Sequence, residues 1–390
     1  MNRYFLAIAM PIAFLSQPLS ASADPVPFRL DVGSGFACAI TADGRTQCWG
    51  ENQYGQLGTG EVSLTEPVVT VDALAGAMDV TAGKFHTCAV ASDQLVRCWG
   101  TDVKGAAGGD NGPVYTPTAV TGVADAKHVK TNDQHTCAIV GAENKVRCWG
   151  NGMDGQLGDG SSWVTTPNSV EVLGVTGATL LAASNRHTCA ATEAGPIYCW
   201  GAGDNGRLGD GEELDSPLAV EVQGVSHVVS MDNDAGGTCA VTEEGEVWCW
   251  GRMELITHLA PYQVVQPGPA AAITRGNQFT CALLVSGEVW CWGRNNLGQL
   301  GDGTHAYSAT PRHVLDLEDI VSIDAGYEHA CAADEYGDVF CWGNTGRMAT
   351  ATDESSCEAR AAQFSELELE PGTVFHSDFD TLHCIADPAP

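Results

Sequence analysis

Cysteine is the residue type with most chemistry to offer in this 390-residue chain, and its sixteen copies are not scattered. Fourteen form seven pairs: Cys38 with Cys48, Cys88 with Cys98, Cys137 with Cys148, Cys189 with Cys199, Cys239 with Cys249, Cys281 with Cys291, and Cys331 with Cys341. Trp-Gly follows each pair at once. Zinc ligation calls for cysteines two to four residues apart, and that spacing does not occur here. Oxidation to a disulfide within each pair is the expected chemistry.

The other reactive side chains assemble into nothing comparable. His86, His135, His187 and His329 hold equivalent places in four separate units, as recurrent hydrogen-bonding residues would. His305 and His313 lack a matching nucleophile or carboxylate pair. No Ser-His-Asp arrangement, phosphate loop or metalloprotease signature is found. The Asp-Gly turns at 159–160, 210–211 and 302–303 lack the alternating carboxylates of a calcium loop. Catalytic residues, metals and cofactors are accordingly not expected.

The elements that position the cysteines follow from their spacing. First cysteines recur at intervals of 50, 49, 52, 50, 42 and 50 residues, a period typical of stacked repeats. Between the two cysteines lie short β-prone runs around a turn, such as VTEEGEVW and LLVSGEVW. Gly44, Gly195, Gly245, Gly287 and Gly337 stand just past the centre, where a three-residue hairpin loop needs a positive φ. Gln94 takes this place in the second unit, and Asn144 lies near the bend of the third, which is one residue longer. This loop sets each pair directly opposite, with Cα atoms roughly 4.5–5.5 Å apart. The same count sets Trp49, Trp99, Trp149, Trp200, Trp250, Trp292 and Trp342 against Ala37, Thr87, Thr136, Thr188, Thr238, Thr280 and Ala330. A large ring always faces a small residue, as packing between neighbouring sheets requires.

Composition points to an exported protein. Arg3, the apolar run from Tyr4 to Leu15 and Ala21-Ser22-Ala23 read as a secretory signal, 1–23, cut after Ala23. Secretion or a periplasmic location, and no membrane insertion, are expected. Removing Arg3 leaves 17 Lys and Arg against 49 Asp and Glu, a formal charge of −32, which repels nucleic acid and anionic membranes. Cys357 and Cys384 remain, and their pairing would tie down a closing segment over 351–390.

The recurring signature is H-T-C-A, a turn, C-W-G and then G-Q-L-G-D-G. It stands here as His86-Thr87-Cys88-Ala89 with Cys98-Trp99-Gly100, and as 155–160. It resembles the repeat of the regulator of chromosome condensation family over nearly all of the chain after the signal. The resemblance implies an all-β fold over 24–390, a seven-bladed β-propeller of four-stranded antiparallel blades. The repeats centre on 38–50, 88–100, 137–150, 189–201, 239–251, 281–293 and 331–343. It further implies a ring closed by pairing the two ends.

The founding activity of that family, nucleotide exchange on a small nuclear GTPase, suits an exported acidic chain poorly. The expectation is a monomeric, non-enzymatic scaffold that binds a protein or surface polymer through loops on one face. Alternatives are a secreted enzyme inhibitor, of the kind that acts on β-lactamases, and an enzyme with its site at the channel mouth. Five units carry a long glycine-rich loop after Trp-Gly, ending at Pro67, Pro117, Pro167, Pro217 and Pro311, and Tyr115, Trp163 and Tyr307 within these loops are the candidate contacts. The fifth unit loses this loop in CWGRMELITHLAPYQV, and the seventh replaces it with GNTGRMATATDESSC, so one rim should be uneven.

Overall fold

Neighbouring sheets in this protein are joined by a Trp-to-disulfide contact repeated around a ring. The computed structural model describes residues 29–344 except 42, 110–111 and 254–255, together with the strand Cys357–Phe364. The signal segment, the pairing of Cys357 with Cys384 and the seventh long loop lie outside the described residues.

Seven sheets are present, each of four antiparallel strands in simple chain order. The first comprises Arg29–Val32, Phe36–Ile40, Thr46–Glu51 and Thr65–Thr70. The seventh comprises Ile320–Ala325, His329–Asp334, Val339–Asn344 and Cys357–Phe364. The arrangement is a seven-bladed β-propeller, with the first strand of each blade at the axis.

The hairpin register is the one that the cysteine spacing demands. Across the second and third strands of successive blades, Cys38 stands opposite Cys48, Cys88 opposite Cys98, and Cys137 opposite Cys148. Cys189 likewise faces Cys199, Cys239 faces Cys249, Cys281 faces Cys291, and Cys331 faces Cys341. All seven pairs are bridged, with Cα atoms 4.1 Å apart. That is closer than the separation expected for directly opposite residues and nearest to the narrow, non-hydrogen-bonded kind of antiparallel pair. The turn glycines have φ of 79–108°, and Gln94 and Asn144 adopt the same left-handed region at 63° and 49°. A side chain there costs about 1–2 kcal/mol, which the bridged strands on either side must offset.

Each core lies between blades. The bridge from Cys38 to Cys48 packs in one cluster with Trp99 of the next blade. Cys137 and Cys148 pack with Trp200, and Cys189 and Cys199 with Trp250. The same arrangement joins Cys88 and Cys98 to Trp149, Cys239 and Cys249 to Trp292, and Cys281 and Cys291 to Trp342. The closing seam repeats it with Cys331, Cys341 and Trp49. Sulfur on one face and indole on the other explain why the two residues alternate in every unit.

Strand exchange does not close the ring among the described residues. The first and last blades each use four strands from their own end of the chain and meet face to face. This corrects the expectation of paired ends. The seam cluster there holds the same sulfur and indole contact as the others, so no shared strand is needed to join the blades.

Candidate functional site

Two sets of turns share one face of the ring. The residue after each Trp-Gly donates its N–H to the turn between the first two strands of its blade. The seven bonds include Glu51 N to Gly35 O, Asn151 N to Gln134 O and Ala202 N to Arg186 O, each 2.8–2.9 Å. The long loops therefore rise beside the turns that frame the axial mouth.

Side chains inside each loop set its shape. Asn52 accepts from Leu57 N and donates to Glu61 O, and Asn295 does the same with Leu300 N and Thr304 O. Gln56, Gln156 and Gln299 accept from the backbone two residues earlier. Their main-chain carbonyls receive the indole N–H of the following blade, from Trp99, Trp200 and Trp342 at 2.8–2.9 Å. The glycine two residues on is obligatory. A Cβ on Gly58 or Gly158 would stand 2.7 or 2.8 Å from that indole. The G-Q-L-G motif is thus a joint between blades, with Leu57, Leu157 and Leu300 filling the seam. The aspartates of the Asp159-Gly160 and Asp302-Gly303 turns cap their own loops by accepting from Ser161 and Thr304.

The three aromatic candidates fall in different settings. Tyr115 belongs to the outer strand Val114–Ala119 and lies over Gly55 of the preceding blade. Tyr307 is half exposed just before the outer strand Ser308–His313. Trp163 is 76% exposed, and its backbone is held at φ 69° by an N–H bond to Gly152 O. A bulky side chain in the left-handed region is uncommon. The structure does not bring the three together, since they stand on the second, third and sixth blades. The corresponding loops of the first and fourth blades also expose Leu64 and Leu214. The fifth blade has the expected low sector, where Val247–Met253 turns back into Ile256–Val264.

The histidines are seam residues. Burial holds His86 and His329 down to about 4, and His135 down to about 3. His135 Nε2 lies 2.7 Å from Thr188 Oγ1 of the next blade, and His187 Nε2 lies 3.0 Å from Thr238 Oγ1. Thr188 gives its one hydroxyl proton to Gln156 O, so His135 must donate from Nε2. Its Nδ1 then accepts from Asn132 Nδ2 at 3.1 Å. Where Gly237 replaces the histidine, Arg275 of the sixth blade enters instead and pairs with Asp234 at 3.0 Å.

The sequence reasoning missed a charged group on the axis. Opposite the first cysteine of each pair stand Asp31, Thr81, Lys130, Ala182, Asp232, Thr274 and Asp324. Each lies seven positions before that cysteine, an offset that would have revealed them. Lys130 Nζ is 2.6 Å from Asp31 Oδ2. Asp31 Oδ1 accepts from Ala82 N at 2.6 Å, Asp232 Oδ2 from Arg275 N at 2.7 Å and Asp324 Oδ2 from Val32 N at 2.5 Å. Burial pushes Asp324 and Asp232 above the usual carboxylate range, and for Asp324 the nearby Asp31 adds to this. Surrounding carboxylates raise Lys130 despite its burial. Among the described residues no His, Cys, Asp and Glu group has the makings of a metal site. No described helix is long and apolar enough to cross a membrane.

Comparison with known proteins agrees with this architecture. Human WBSCR16 superposes with a TM-score of 0.74 at 18% identity, covering 83% of this chain and 94% of that one. Prp20p of Saccharomyces cerevisiae, studied for its binding to Gsp1p and histones, gives 0.71 at 17% identity, covering 87% and 88%. The ectodomain of the Arabidopsis thaliana receptor kinase ACR4 gives 0.50 at 17%, covering 81% and 95%. These likenesses establish the fold alone. No curated protein sequence matches. Two models of the regulator of chromosome condensation (RCC1) repeat match 43–90, 143–191 and 286–333, and 29–56, 79–106, 179–207, 271–299 and 320–347. Together they span more than half of the chain, which therefore belongs to the RCC1 repeat family.

Proposed function

We propose that this protein is an exported, non-enzymatic binding module that engages a protein partner through its loop face. The observation carrying the proposal is the division of labour within each blade. The paired cysteines, the tryptophans that follow them, the four recurrent histidines and the G-Q-L-G glycines are consumed in the seams, whereas Trp163, Leu64 and Leu214 face solvent on the loop crown. Exposed apolar residues on a rigid, disulfide-braced frame suit recognition with little ordering cost. Seven bridges suit an oxidising compartment, which supports an extracellular or periplasmic partner. The charge of −31 favours a partner with a basic surface over nucleic acid.

Acid–base catalysis at the axis fits less well, because Asp31, Asp232 and Asp324 each spend an oxygen on a backbone N–H. The test is capture from the exported proteome by the oxidised protein and by a double variant carrying Trp163→Ala and Leu214→Ser. A partner held by the first and lost by the second supports the reading. Equal capture by both, with melting temperatures unchanged, refutes it. Assaying a β-lactamase panel with the same two proteins tests the inhibitor version.

A further inference from the structure

We infer that the axial cavity on the loop face is a binding site for an organic cation bearing a primary ammonium group. The cavity has a volume of about 120 Å³. Asp31, Lys130, Asp232 and Asp324 line it, with Asn233 and Arg275 beside them. This space admits an ammonium head with a short methylene chain.

Charge sets the ligand class. Three carboxylates from the first, fifth and seventh inner strands face one ammonium from the third. The second, fourth and sixth strands contribute only Thr81, Ala182 and Thr274. At the mouth Asp133 and Asp234 stand with Arg275, so the lining carries five carboxylates and two cations. The cluster is short of positive charge, and the elevated Asp324 is a site where a proton makes up the deficit. A bound ammonium would take over that role and release the proton.

Hydrogen bonding leaves a place for it. Around the hub, Asp31, Thr81, Asp232 and Asp324 each accept a backbone N–H from the next blade. Among the described residues this relay is missing at the third, fourth and sixth blades: Lys130 cannot accept, Ala182 has no polar side-chain atom, and Thr274 Oγ1 stands 3.1 Å from both the Asp232 and the Asp324 carboxylate as a donor. The longest gap runs from the third blade to the fifth. On that side Asn233 lines the cavity at 6% exposure, and its Oδ1 has no partner. An orphaned buried acceptor costs about 1–3 kcal/mol and suits an N–H donor. Lys130 already pairs with Asp31, and Thr274 links the Asp232 and Asp324 carboxylates, so no metal-holding group forms among the described residues.

The ammonium could belong to a free diamine or to a lysine side chain of a partner. Calorimetric titration of the oxidised protein with putrescine, and separately with an N-acetylated lysine peptide, distinguishes them. The expected result is one saturable site for at least one probe, with release of up to one proton revealed by buffers of different ionisation heat. Affinity should rise by up to about tenfold per pH unit while Asp324 is protonated. Asp232→Asn should weaken binding about tenfold or more, as loss of a charged hydrogen-bond partner does. Lys130→Met should tighten it by removing the competing cation.

No saturable binding of either probe by the wild-type protein up to about 10 mM overturns the inference. Affinity independent of pH, or equal binding of calcium, does so as well, and neither reading depends on a variant folding. The site rests on axial residues alone, so its failure leaves partner capture by the loop crown untouched, and the converse holds.

Discussion

Replacing Thr188 by Val removes one hydroxyl from the middle of a seam chain and keeps the side-chain shape. In that chain His135 Nε2–H donates to Thr188 Oγ1, which donates to Gln156 O, which also receives Trp200 Nε1–H at 2.9 Å. The carbonyl keeps its indole donor after the change. His135 does not keep its acceptor, and its ring is fully buried. A buried donor left unpaired costs about 1–3 kcal/mol, to which the lost threonine bond adds about 0.5–1 kcal/mol. Thr87 provides the internal control. It donates to Gln56 O at 2.7 Å alongside Trp99, but the preceding blade has Phe36 at the histidine position. Thr87→Val should therefore cost only about 0.5–1 kcal/mol. Equilibrium urea unfolding of the oxidised variants, followed by tryptophan fluorescence, gives the comparison through midpoints at equal slope. Thr188→Val should lose at least about 1 kcal/mol more than Thr87→Val. Equal losses would refute the assignment of His135 as an Nε2 donor.

Acid should destabilise the fold through its histidines. Unfolded His86 takes up a proton near its ordinary 6.5, whereas the folded residue resists until about 4. Its contribution is present above pH 6.5 and lost as pH falls toward 4, by about 3 kcal/mol in all. His86→Phe, which copies Phe36 and Phe279, should flatten the stability profile there by about one proton, and an unchanged slope would sink the idea. Gly158→Ala should lower the melting temperature sharply, since it forces a Cβ into a left-handed residue at φ 72° and to 2.8 Å from Trp200. Gly174→Ala, equally left-handed at 83° but with open space around it, should cost only the backbone strain of about 1–2 kcal/mol. Peptide mapping without reductant should recover Cys88 linked to Cys98 and the six equivalent hairpin pairs. Opening that bridge by replacing both Cys88 and Cys98 with alanine should cost up to about 3 kcal/mol, because it closes a short loop.

Much of the blade was legible in the chain because its information is local. A hairpin with glycine past its centre admits one register, and that register alone decides which cysteines meet and which small residue faces each tryptophan. Gln94 and Asn144 looked like exceptions, yet both adopt the glycine geometry, since flanking bridged strands leave the turn no other path. The role of the G-Q-L-G loop was less visible. Its meaning depends on an indole some 43 residues onward in the next blade, a distance that repeat spacing suggests but cannot orient.

Strand pairing, the seven bridges and the alternation of sulfur and indole that makes each sheet adhesive on both faces are written into the local spacing of the chain. Tertiary structure alone decided what those sheets enclose. Val32 and Asp324 are 292 positions apart and touch only because seven seams together turn the chain through a full circle. The same rotation gathers Asp31, Lys130, Asp232 and Asp324 around one axis, where lost solvent raises Asp232 and Asp324 above the usual carboxylate range. Neither effect is encoded in any single repeat, because burial and Coulomb energy depend on distances that exist only once the ring is closed.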